Sequence, residues 1–124
     1  MRTKDTTVEC NFHPVLTQFL FAIDSNVYRP WGAEVVITSG SEPHIRHSRT
    51  SLHYATPCQA ADIRSWSVTR TYGPPVTADE QLQAVTEEAE AYCHEFGIPT
   101  DWIEVIKESD HLHIEFQPKR LKGI

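Results

Sequence analysis

The hexapeptide HLHIEF at 111–116 decides how this chain is read. Alternate side chains of a strand share a face. Leu112, Ile114 and Phe116 therefore point one way, and His111, His113 and Glu115 the other. The apolar set belongs against a core or its covering helices, and the polar set lines a face where a cleft can lie. QAADIR at 59–64 repeats the pattern, with Ala61 and Ile63 alternating against Ala60, Asp62 and Arg64. Two such strands predict a sheet with one face buried and one face polar.

Outward from these strands the remaining elements follow. IEVI within 102–107 reads as the partner of 111–116 in a hairpin turning at ESD. Upstream, Thr77 and Glu80 have capping-box spacing and Gly97 supplies a stop, which predicts a helix between them. Its apolar stripe is Leu82, Val85, Ala89, Tyr92, Cys93 and Phe96, with TEEAE toward solvent. A first helix is expected over 13–28, with Pro14 at its start and Leu16, Phe19, Leu20, Ile23 and Val27 at helical spacing. YRPWG ends it, AEVVIT at 33–38 reads as a buried strand, and 39–57 reads as a long loop containing Gly40, Pro43 and Pro57. The order helix, strand, loop, strand, helix, hairpin predicts an α+β fold: a small antiparallel sheet with flanking helices.

The size of the chain, 124 residues, suits one domain spanning 1–124. No apolar run approaches the length of a membrane span, and MRTKDTTVEC lacks the apolar core of a signal peptide. The expectation is a monomer with no membrane partner, cytoplasmic until released. A net charge of −6 argues against a nucleic-acid partner. Against that balance, Arg46, Arg49, Arg64 and Arg70 fall in one central segment, which suits a carboxylate-bearing substrate. Cys10, Cys58 and Cys93 are odd in number and widely spaced, so they predict neither a disulfide framework nor a CxxC site.

His53, from the loop before QAADIR, joins Asp62 and His113 as two imidazoles and a carboxylate. That donor set gives Zn²⁺ three protein ligands and leaves a fourth position for water, as in catalytic rather than structural zinc sites. Asp110, three residues before His113, is a candidate general base. The alternative reading of the same residues is ordinary: surface or hydrogen-bonded structural side chains with no joint role.

VVITSG at 35–40, SLHY…AADIR and DHLHIEF, in that order, resemble the signature of the peptidase M15 family. Those enzymes are zinc D,D- and L,D-peptidases, among them D-Ala-D-Ala carboxypeptidases and phage L-alanyl-D-glutamate endolysins, and the signalling domain of Hedgehog shares their fold. The resemblance covers about 33–118. It implies a Hedgehog-like zinc fold with His53, Asp62 and His113 as the metal ligands. Asp110 would act as general base and then acid, with Ser51 donating to substrate. His111, on the same face as His113, reads either as a stabiliser of the tetrahedral intermediate or as a structural residue. The implied reaction is attack of metal-activated water on a peptide carbonyl.

Three positions depart from the family pattern SxHxxGxAxD and its upstream SGYR. His53 and Asp62 have eight residues between them, two more than the pattern, with Thr56 and Pro57 in the added length. Cys58 stands where the pattern has glycine, and Glu42 stands where it has the carboxylate-gripping arginine. Arg46, Arg49 and Arg64 are the candidates to replace that arginine. Cys58 reads either as a small core residue or as a further ligand. His44 and His47 read as substrate contacts or as solvated loop residues, and Trp66, Tyr54 and Tyr72 as stacking platforms or core. Glu115 is a candidate to orient the neighbouring ligand.

The function expected is hydrolysis of peptidoglycan stem peptides by a zinc peptidase of the phage-endolysin type. The replaced arginine favours an endopeptidase, which need not bind a terminal carboxylate. The alternative is a catalytically silent zinc module of the same fold, serving as a binding or virion structural protein.

Overall fold

The computed structural model describes residues 1–42 and 58–118. The elements are β1 (Arg2–Thr3), α1 (Pro14–Ile23), β2 (Val36–Ser39), β3 (Ala60–Arg64), α2 (Ala78–Phe96), β4 (Ile103–Lys107) and β5 (His111–Phe116). Among the described residues the five strands form one sheet in the order β1-β2-β3-β5-β4. The fold is α+β, and β2, β3, β5 and β4 pair antiparallel in succession. The expectation of a purely antiparallel sheet needs one correction. β1 joins the edge parallel to β2, making the sheet mixed. Two residues, Arg and Thr, carry no period from which such a strand could be read.

Both helices are capped as their sequences dictate. His13 accepts the Val15 N–H at 3.1 Å ahead of Pro14, while Thr77 and Glu80 form a reciprocal capping box on α2. Gly97 ends α2 at φ 68°, in the left-handed region that glycine enters without strain. α1 is α-helical only to Ile23. It continues as a π turn over Asp24–Tyr28 and a 3₁₀ turn over Arg29–Trp31, so the predicted helix 13–28 changes geometry at Asp24. β2 starts later than the expected 33–38. The Ala33 and Val35 N–H groups are engaged by the Tyr28 carbonyl and the Asp24 carboxylate instead of by a sheet neighbour.

Leu112, Ile114 and Phe116 of β5, with Ala61 and Ile63 of β3, are buried in the same cluster as Leu16, Phe19, Leu20 and Ile23 of α1 and Val85, Ala89, Tyr92 and Cys93 of α2. Full burial of a residue such as Leu112 or Ile114 is worth about 1.5–3 kcal/mol. Phe96 departs from its expected place in the stripe. At the last turn of α2 it is 56% exposed and rests against the Tyr92 ring, 4.7 Å away. Gln81, on the same stripe, is fully buried. Its Oε1 accepts from Tyr28 Oη at 2.8 Å, and its Nε2 donates to the Trp66 carbonyl at 2.9 Å. Both ends of the amide are thereby satisfied, and α2 is fastened to the segment that follows β3.

Among the described residues no helix is long and apolar enough to cross a membrane.

Candidate functional site

Register builds the site. Asp62 of β3 lies directly opposite His113 of β5, Arg64 opposite His111, and Ala60 opposite Glu115. On the far side of β5, Ile106 faces His113 and Glu104 faces Glu115. On the other side of β3 a register shift brings Ser39 opposite Asp62. Because directly paired residues share a face, these side chains occupy the sheet surface that the core does not use. The face assignments expected from alternation hold on both strands.

On this surface Asp62 Oδ1 lies 2.7 Å from His113 Nδ1, and Glu115 Oε1 lies 2.8 Å from His113 Nε2. The imidazole is therefore held between two carboxylates, one on each nitrogen. Burial alone would lower its pKa. The hydrogen bonds to Asp62 and Glu115 outweigh that and raise it. Glu115 is itself held by the side-chain amide of Gln117. Asp62 is buried, and its backbone carbonyl accepts from the Thr38 hydroxyl at 3.3 Å.

The second pair sits at the hairpin turn. Asp110 Oδ1 is 2.8 Å from His111 Nδ1, and that hydrogen bond holds the Asp110 carboxyl below the usual carboxylate range. His111 Nε2 reaches toward Glu108 Oε2 at 3.4 Å and Asp62 Oδ1 at 3.7 Å. The turn is fixed from both sides. Glu108 N–H donates to the His111 carbonyl at 2.9 Å, and Ser65 N–H donates to the Asp110 carbonyl at 3.3 Å. Asp110 is thus pinned at the end of β3, with its carboxylate exposed.

Of the residues nominated from sequence, Asp62 and His113 meet, and Asp110, His111 and Arg64 stand on or beside the same surface. His53, Ser51, Arg46 and Arg49 lie outside the described residues, as do His44, His47, Tyr54 and the Thr56–Pro57 addition. Among the described residues no group of three side chains is arranged to hold a metal. Asp62 and His113 provide two donors of the right chemistry. A metal-ligating histidine gives one nitrogen to the ion and the other to an orienting carboxylate; as placed, both nitrogens of His113 are hydrogen-bonded to carboxylates.

The two family departures within the described residues have local explanations. Cys58 is buried in a bridge with Phe12, and its thiol donates to the Ala60 carbonyl at 3.1 Å. No described non-glycine residue has positive φ, so cysteine meets no backbone strain there. Glu42 turns back on its own chain. Its carboxylate accepts from Gly40 N–H at 2.7 Å, the Ser39 hydroxyl at 2.8 Å and Glu9 N–H at 3.2 Å. It serves the end of β2.

Glu108, Ser39 and Gln81 were not anticipated. Gln81 shares the i, i+4 spacing of Val85 and Ala89, so the helical period contained its signal. Ser39 depends on a register shift that no local pattern announces. Trp66 and Tyr72 are exposed, which sets aside the core reading of both.

No family model, curated protein or solved structure matches the chain.

Proposed function

We propose that this protein is a zinc-dependent peptidase of the M15 type, with a Hedgehog-like fold, that hydrolyses peptidoglycan stem peptides as an endolysin-type endopeptidase. The reading rests on one observation: Asp62 and His113, two of the three ligands implied by the sequence pattern, are in contact on paired strands, with Glu115 on the other ring nitrogen. Asp62 and His113, joined by His53, would hold the ion. Bound there, Zn²⁺ would supply Lewis acidity toward water and toward a peptide carbonyl. Asp110, exposed and kept in its basic form by His111, takes the proton from the attacking water and returns it to the leaving amine. Glu115 fixes the orientation of the His113 ring.

Digestion of purified peptidoglycan by the zinc-loaded protein, followed by mass spectrometry of the released fragments, tests this. New amino termini are expected from the wild type and not from Asp110→Ala. Stoichiometric zinc with no new amines from either protein would leave the silent binding module as the reading. Absence of bound zinc, unchanged by His53→Ala, removes the metal centre altogether.

A further inference from the structure

Among the described residues the sheet ends at β4, which has β5 on one side and no strand on the other. β4 pairs with β5 residue for residue from Ile103 to Lys107. Two printed ends of that ladder fix which way its main-chain groups point. Gln117 N–H donates to the Trp102 carbonyl, and Glu108 N–H donates to the His111 carbonyl. Hydrogen-bonded pairs alternate along an antiparallel ladder, so Glu104 and Ile106 spend their N–H and C=O on β5. Ile103, Val105 and Lys107 therefore turn theirs outward. Edge strands are commonly blunted by proline, a bulge or several charges. β4 has no proline and no register shift, and it leaves Ile106 40% exposed.

A groove of about 440 Å³ runs along this edge, between β4 and α2. Ala89, Ile103 and Val105 form its apolar floor, and Thr86, Glu90 and His94, at successive helical turns, form its α2 rim. Ile103 and Val105 face the core side of the sheet, opposite Phe116 and Ile114, so the groove opens away from the Asp62–His113 surface. Lys107 is engaged by Asp79 at 2.6 Å, which ties the end of β4 to the start of α2. The described lining carries the carboxylates of Glu90 and Asp101 and no lysine or arginine. Glu104 adds an exposed carboxylate on the other face of the same edge.

We propose that the outer edge of β4 docks an extended basic peptide, which adds as a sixth strand antiparallel to β4. Side chains opposite Ile103 and Val105 enter the apolar groove beside α2, and the side chain opposite Glu104 is a lysine or arginine. β4 is five residues long, roughly 17 Å, so a five-residue segment spans it. Charge selects this occupant over a second copy of the chain, which would bring the same acidic α2 rim and the same Glu104 to the edge. The proposal does not rest on the peptidase reading.

The probe is an end-blocked pentapeptide with valine at its first, third and fifth positions and lysine between them. Its binding to the isotope-labelled full chain is followed by amide NMR, with and without zinc. Shifts and slowed exchange are expected at the Ile103, Val105 and Lys107 amides, with equal affinity in both conditions. The same peptide with glutamate for lysine should bind about tenfold more weakly. N-methylation of its valines, which removes the donors aimed at β4, should abolish binding. Val105→Pro removes one outward donor and leaves the β5 ladder intact, so it should weaken the lysine peptide at least tenfold. Should that variant not fold, Glu104→Lys, which should cut the preference for lysine over glutamate to about threefold or less, and the methylated peptide carry the test. No binding, equal binding of the methylated peptide, or no preference for lysine overturns the proposal. So does affinity that requires zinc, with shifts centred on His113. Concentration-dependent dimerisation that protects the Ile103 and Val105 amides before peptide is added also overturns it, and assigns the edge to a second copy.

Discussion

Asp62 and His113 are 51 positions apart in the chain, yet their side chains approach to 2.7 Å because β3 and β5 pair with these two residues directly opposite. The sheet register itself makes the contact. Any slip of one residue would turn Asp62 to the core and leave His113 facing Ala61 or Ile63. The burial of Leu112 and Ile114 against Ala61 and Ile63 therefore enforces the polar pair on the other face.

Glu115 gives the first prediction. Its Oε1 is 2.8 Å from His113 Nε2, so removing it leaves the ring free to turn away from the Asp62 side. Glu115→Ala is expected to weaken zinc binding about 10–100-fold, with Glu115→Gln between it and the wild type. Competition against a chelating dye measures this. Equal zinc affinity in all three proteins would show that Glu115 does not orient a ligand.

On the peptidase reading, a change at Asp110 tests catalysis apart from metal binding. It stands at the turn, held by its backbone to Ser65 and by its carboxylate to His111, and it does not touch His113 through any hydrogen bond described. Asp110→Asn should lower stem-peptide hydrolysis about 10²–10⁴-fold while zinc content stays at the wild-type level. Loss of zinc together with activity would instead make Asp110 part of the metal site.

Much of this arrangement was legible because strands advertise their faces. The alternation in 111–116 and 59–64 located the core and polar sides, and the capping box marked the start of α2. Pairing was harder to see. β1 is two residues long, and the shift between Ile37 and Ser39 that sets Ser39 against Asp62 leaves no mark in the alternation of β2. The Arg64–Trp66 stack was equally hidden, since residues at i and i+2 share a strand face only while the strand lasts, and β3 ends at Arg64.

Gly40 closes β2 by contact, not by conformation. A Cβ built there would run into the Glu9 carbonyl oxygen and stand 2.9 Å from the Phe12 ring. One of those atoms is backbone, so the segment must move. Gly40→Ala should cost about 3 kcal/mol of stability. Gly32→Ala is the comparison: Gly32 has φ 80° and nothing within 4 Å of a new Cβ. Its cost is conformational only, about 1 kcal/mol. Denaturant midpoints for the two variants should fall in that order, and the reverse order would refute the close approach at Gly40.

Asp24 makes stability depend on acid. It is buried at the π turn after α1, where its Oδ1 accepts the Val35 N–H at 2.8 Å and its Oδ2 meets Arg29 Nε at 3.1 Å. Burial pushes its pKa up, but the hydrogen bonds from Val35 and Arg29, with the Met1 nitrogen 3.2 Å away, outweigh burial and leave it lowered. A carboxyl whose folded pKa is below its unfolded value binds its proton more readily when unfolded. Its stabilisation is therefore complete above the unfolded value, about 4, and disappears as pH falls through the lower folded value. Asp24→Asn removes the charge, and at neutral pH it should cost about 1–2 kcal/mol, since Arg29 is largely exposed and solvent screens that partner. Urea unfolding at pH 6 and again near pH 3 checks the sign. The wild type should lose stability between the two, and the variant should lose measurably less. An equal loss in both proteins would assign the acid sensitivity to other carboxylates.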